Sequence, residues 1–143
     1  MNPHTASRSD QIPDADKAAV AALPQRIVDA WAAYDSDAFA EVFTADGTLV
    51  LPGVFEKGRA AIRAFAKTAF SGPYQGTRVT GTPIDLRFLN SEAAILLTRG
   101  GILAPGETEP AAERAVHASW TAVKLDGEWR LAAYQNSPRH ATA

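Results

Sequence analysis

The chain has 143 residues, enough for one compact domain with a sizeable core and too few for two. Fourteen Lys and Arg against 16 Asp and Glu give a formal charge of −2, which excludes a broad basic face for nucleic acid or an anionic membrane. With no Cys there is no disulfide scaffold, thiolate metal site or Cys nucleophile, and since 29 of the hydrophobic residues are Ala, the spacing of the larger ones must carry the fold.

Residues Met1 to Asp14 are polar, hold Pro3 and Pro13 and show no apolar period. They read as a disordered tail without the apolar centre of a signal peptide. From Ala15 onward Val20, Leu23, Ile27, Trp31 and Tyr34 recur at spacings of three and four, the stripe of an amphipathic helix. Pro24 lacks an N–H and must kink that helix or restart it. Asp35-Ser36-Asp37 supplies N-cap side chains for a short second helix carrying Phe39, Val42 and Phe43. A turn at Ala45-Asp46-Gly47 leads to a short strand, Thr48 to Leu51, stopped by Pro52-Gly53. Gly58 opens a third helix from Arg59 to about Phe70, with Ile62, Phe65, Ala66 and Ala69 on one face.

After Gly76 the period falls to two. Ile84, Leu86 and Phe88 share one strand face while Asp85 and Arg87 share the other. Asn90-Ser91-Glu92 reads as a hairpin turn into a strand from Ala93 to Leu103, which Gly100-Gly101 must bend or bulge. The acidic loop from Pro105 to Pro110 precedes a strand from Glu113 to Leu125. Asp126-Gly127 turns it into a last strand from Glu128 to about Asn136. The expected organisation is one α+β domain over residues 15–138, with a short tail at 139–143. Its form is a curved antiparallel sheet packed on three N-terminal helices. No apolar run approaches the roughly 18 residues that cross a bilayer, so the expectation is a soluble, cytoplasmic domain.

A bent sheet around a long helix leaves an apolar hollow, a natural place for a hydrophobic small molecule. Apolar residues occur at both parities of the strand from Val116 to Leu125, so both faces of the sheet need cover. The expected cover for the outer face is a second copy, making a homodimer.

Little in the sequence points to a cofactor. No G-x-G-x-x-G opens a helix after a strand, and no phosphate-binding loop occurs. The three His, at positions 4, 117 and 140, share no metal-ligand spacing, so neither cofactor nor metal is expected. His117 alternates onto one face with Ser119 and Thr121. It reads either as a cavity acid–base, the candidate catalytic residue, or as a polar group on the outer face. Trp31 and Tyr34 extend the helical stripe toward the expected cone mouth, as ligand platform or as core. Tyr134, Gln135 and Asn136 end the last strand. There an amide facing inward would anchor a carbonyl or hydroxyl, and one facing outward would cap the strand. Ser119, Thr121, Tyr134, Gln135 and Asn136 therefore join Trp31 and Tyr34 as candidate substrate-binding residues.

The element order and the segment AWAAYDSDAFAEVFTADGTLVLPG…KGRAAIRAF resemble the nuclear-transport-factor-2-like (SnoaL-like) superfamily over about Asp16 to Arg139. The ending DGEWRLAAYQNSPR is similar to its SgcJ/EcaC-type proteins. The resemblance implies a cystatin-like roll and a role in enediyne antibiotic biosynthesis, with a polyketide-like ligand and a polyketide synthase as partner. Two functions are compatible with it. One is cofactor-free proton transfer, cyclisation or water addition; the other is non-catalytic binding or shielding of an intermediate. The oxidoreductase label sometimes given to the group is a third, without supporting residues here. The ketosteroid isomerases of the superfamily use a carboxylate base, a Tyr and a protonated Asp. The matching positions here hold Leu51, Ile27 and about Thr121, so that constellation is absent.

Overall fold

A computed structural model describes residues 12–140. Four helices, α1 (Asp14–Ala21), α2 (Leu23–Ala32), α3 (Ser36–Glu41) and α4 (Arg59–Ser71), combine with six strands. These are β1 (Phe43–Leu51), β2 (Val54–Lys57), β3 (Arg78–Asn90), β4 (Ala93–Leu103), β5 (Ala115–Leu125) and β6 (Glu128–Pro138). The sheet order is β2-β1-β6-β5-β4-β3. All neighbours are antiparallel except β1 and β6, which run parallel, so the sheet is mixed where a purely antiparallel one was expected.

Pro24 restarts the first helix. It occupies the opening turn of α2, where its missing N–H would have had no intrahelical partner. The expected long helix is therefore two, which makes four α-helices among the described residues. Asp35 caps α3 as its sequence suggests, accepting from the Ala38 N–H at 3.0 Å. Between the stops at Pro52-Gly53 and Gly58, Val54–Lys57 pair with Thr48–Leu51 as an edge strand that the sequence pattern did not mark. The tail at 1–14 lies outside the described residues as far as 11. Ile12 is buried and helix α1 starts at Asp14, so the domain begins slightly earlier than expected.

The core fills the space between the helices and the inner face of the sheet. Trp31 packs edge-on against Phe70 at 5.2 Å and against Phe39 at 6.2 Å. Pairs of this geometry add about 0.5–1.5 kcal/mol each beyond their buried area. Phe88 and Trp129 make a second T-shaped pair at 5.6 Å. Beneath them Asp16 of α1 accepts from Trp129 Nε1 at 3.0 Å and from Lys124 Nζ at 3.1 Å, which ties the first helix to the β5–β6 hairpin.

Gly100 and Gly101, expected to bend or bulge β4, pair in unbroken register with β3 and β5, and what requires glycine there is steric. A Cβ on Gly100 would stand 1.9 Å from the Thr80 carbonyl oxygen, so no other residue permits this approach of β3. Gly101 sits at φ +151°, and a Cβ there would meet the Arg114 carbonyl oxygen at 2.2 Å. Register shifts at Ile84 and Leu89 add bulges to β3, which increase the local twist.

The Trp129 indole and the Lys124 ammonium hold the Asp16 carboxyl below its ordinary value of 3.8. The interaction therefore contributes fully above that ordinary value and is lost as pH falls through the lowered one. Asp16→Asn removes the charge. In pH-dependent denaturation the stability gap between the native chain and this variant should close as pH falls below about 4.

Candidate functional site

The inner face of the sheet and the helices enclose an apolar cavity of about 270 Å³. Ile27, Val28 and Trp31 of α2 form one wall, and Phe43, Leu49 and Leu51 of β1 another. The facing wall holds Gly81, Gly100, Ala118 and Trp120, mostly bare backbone and one large ring. The volume falls just under the range of about 300–1,000 Å³ typical of small-molecule sites.

Polar groups around the cavity are few, and most are already paired. Trp120 Nε1 donates to Thr98 Oγ1 at 2.9 Å, and Trp31 Nε1 donates to Thr77 Oγ1 at 3.0 Å. At the mouth Arg114 holds Glu107 through two hydrogen bonds of 2.7 and 2.9 Å and reaches Glu113 at 3.6 Å. Its hydrogen bond to Arg114 keeps the Glu107 carboxyl below the ordinary range, with help from the Ala104 N–H. Glu113 lies on the lining too, but its side chain is 72% exposed at the rim.

The distinctive polar feature lies on β6. Asn136 Nδ2 donates to the Tyr134 hydroxyl at 3.1 Å, while Asn136 Oδ1 is buried with no hydrogen-bond partner. Residues two apart on a strand share a face, and the Tyr134 ring packs edge-on against Trp120 at 4.8 Å, so the pair belongs to the cavity side. Burial pushes the Tyr134 hydroxyl above the ordinary tyrosine value, and its bond to Asn136 offsets part of that rise. It is a neutral hydrogen-bonding group through the physiological range.

The sequence-derived candidates divide by face. Trp31, Tyr134 and Asn136 line the cavity, Asn136 also bordering the depression on the other side. His117, Ser119 and Gln135 do not; they gather in a shallow depression of about 390 Å³ on the opposite face of the sheet. The expectation of His117 as a cavity acid–base is therefore corrected. Ala118 pairs with Asn136 and faces in, so its neighbour His117, paired with Ser137, faces out and is exposed. Thr121 pairs with Ile95 and Ala133 on the same outer face, so Trp120 is the residue turned inward at that level. Tyr34 is also misplaced. It follows the end of α2 at φ +51°, 43% exposed, and touches Phe70 without reaching the cavity. Sequence reasoning passed over Gly81, Gly100 and Ala118, whose lack of bulk makes room for a ligand. The early break in the alternation at Gly81 was the available signal.

Tyr134 should titrate late in an ultraviolet pH titration, above the ordinary value of 10.0. That late component should vanish in Tyr134→Phe.

The SnoaL-like domain model matches residues 15–135. A domain with a cystatin-like fold from Nostoc punctiforme is similar at 30% identity and a TM-score of 0.83, over 90% of this chain and 80% of that one. A nuclear-transport-factor-2-like protein with a cystatin-like fold from Novosphingobium aromaticivorans follows at 21% and 0.76, over 90% and 84%. A structure from the same organism described as a candidate scytalone dehydratase is similar at 16% and 0.71, over 90% and 91%. The last two share the fold alone at those identities. No curated protein matches the chain. The match across most of the chain, together with the cone and its inward-facing cavity, means that this protein belongs to the SnoaL-like domain family.

Proposed function

We propose that the protein binds a compact, neutral, largely apolar small molecule of secondary metabolism inside the cone, as a binding or shielding protein. The observation that carries this reading is the composition of the cavity wall: mostly aliphatic and aromatic side chains, a few uncharged polar groups such as the Tyr134–Asn136 and Trp120–Thr98 pairs, and charge only at Glu113 and Arg114. General acid–base work near neutral pH needs a group that exchanges a proton there. Along the lining the one carboxylate is Glu113, at the exposed rim. A polyketide-like intermediate of the enediyne type fits the apolar wall, and a polyketide synthase is the partner that would deliver it.

A cofactor-free reaction on such a ligand is the second reading, and Tyr134 supports it. A buried phenol that stays protonated can polarise a ligand carbonyl during proton transfer, cyclisation or water addition. Tyr134→Phe separates the two readings. As a catalytic donor its loss should slow product formation about 100-fold or more, whereas in a binding protein it should weaken retention modestly.

The direct experiment is native mass spectrometry of the protein co-expressed with a candidate polyketide synthase, which should reveal a bound small molecule. His117→Ala should retain that molecule as well as the native chain does, because His117 stands on the other side of the sheet. Loss of the molecule in that variant would return His117 to the site.

The outer face supports a second copy of this chain as a further partner. Phe55, Val50 and Leu97 share one cross-strand row there, and Phe55 and the nearby Ile84 are exposed at 65% and 46%. Exposed apolar residues on a sheet face call for cover. Light scattering at micromolar concentration should give twice the subunit mass, and Phe55→Asp should return it to one.

A further inference from the structure

We infer that the dimer of this chain is released by acid, because a second copy on the outer face puts His117 beneath the partner sheet, beside the two-fold axis. This is a regulation of the contact proposed above, and it rests on that contact.

One row across the outer face runs from β2 through Phe55, Val50, Gln135, Ser119 and Leu97, and ends on β3 at the bulged Ile84. Its exposed apolar residues, Phe55 and Ile84, stand at opposite edges of the sheet, and its polar residues occupy the middle. Two copies related by a two-fold present the same patch to each other. An axis parallel to the strands, between β6 and β5, lays this row on itself in reverse. Phe55 then reaches the edge that holds the partner's Ile84, and Val50 meets the partner's Leu97. The Gln135 amide meets the partner's Ser119 hydroxyl. Apolar groups fall on apolar and polar on polar, so the face is complementary to a second copy of itself.

His117 is two residues along β5 from Ser119, about 6.5 Å from that row. It lines the same depression as Ile84, Leu97, Ser119 and Gln135, so a partner that covers those residues covers His117 too. His117 and Ser137 pair across β5 and β6, on either side of the axis. In the reversed register His117 therefore faces the partner's Ser137, and the two His117 side chains flank the axis.

The surrounding charges are of one sign. Arg99 of β4 stands opposite His117 on its own sheet. On β6, Ser137 and Gln135 are neutral, and Arg139 and His140 follow the end of the strand. On β3, Thr82 pairs with Arg99, while Asp85 is engaged by Arg87 at 3.7 Å. Lys57, on the far strand β2, donates to the Asp46 carbonyl. Among the described residues no carboxylate pairs with His117 or Arg99. An imidazolium at 117 would thus lie beside Arg99 and close to the partner's two cations, with water withdrawn by the covering sheet. Desolvation and like charge both act against it. Arginine has a stem long enough to carry its charge to a rim, and the shorter imidazole does not. Imidazole changes charge between about pH 5 and 8. Because the dimer disfavours the charged form, the contact is complete above that window and weakens as pH falls through it.

The test is a dilution series followed by light scattering on the full chain, at about pH 8 and about pH 5.5. The dissociation constant should rise about tenfold or more at the lower pH, roughly threefold from each of the two imidazoles. Two neutral replacements, His117→Gln and His117→Ser, should each lose that rise, and His140→Gln should keep it. Single subunits at pH 8 would remove the dimer reading, and this inference with it. A dimer equally tight at both pH values would overturn the inference and leave the dimer standing. A pH response that survives both His117 replacements, or vanishes in His140→Gln, would overturn it as well. Circular dichroism should be unchanged at the lower pH; loss of the folded signal there would trace dissociation to unfolding and sink the inference.

Discussion

The contact on which this molecule depends is backbone against backbone: Gly100 of β4 beneath the Thr80 carbonyl of β3, with room for no Cβ between them. Gly101 lies similarly close to the Arg114 carbonyl, and both glycines pair in unbroken register with β3 and β5. Together with Gly81 opposite, they leave this stretch of the cavity wall bare of side chains. The same close packing of backbones thus accounts for the absence of side chains that would fill the space. Protein interiors ordinarily pack with few voids larger than a water molecule, so a hollow of this size requires such a cause.

The fold was legible wherever a period or a punctuating residue is strong. The Asp35 cap, the helix from Arg59 and the Asp126-Gly127 turn each act within a few residues, and each stands in the structure as the sequence implies. Parallel pairing of β1 with β6 was not legible. It joins strands separated by most of the chain, and neither strand's own pattern records its neighbour. The edge strand β2 was hidden for another reason. Its four residues lie between Pro52-Gly53 and Gly58, and a run so short does not establish a period.

The site was legible in composition but not in direction. Alternation correctly groups His117 with Ser119 on one face of β5, yet it cannot say which face the helices cover. The chemistry of His117 left both faces open, whereas the bulk of Trp120 decides between them. A large ring between small neighbours at 118 and 122 belongs to the packed side. On β6 the same ambiguity fell between two adjacent amides. Asn136 turns in beside Tyr134 and Gln135 turns out beside Ser119, so one side of the strand became a site and the other a surface.

What the cone can do follows from the neutrality of that inward pair. An amide does not exchange protons, and a phenol held above its ordinary value gives up its own only in strong base. A carboxylate in the same place would have had its charge suppressed by burial, making the cavity a device for moving protons. With Asn136 there, the inward pair offers hydrogen bonds but no group that exchanges a proton near neutral pH. The cavity-side indoles of Trp120 and Trp31 are themselves hydrogen-bonded, to Thr98 and Thr77, so the apolar side chains dominate what a ligand in the space would meet.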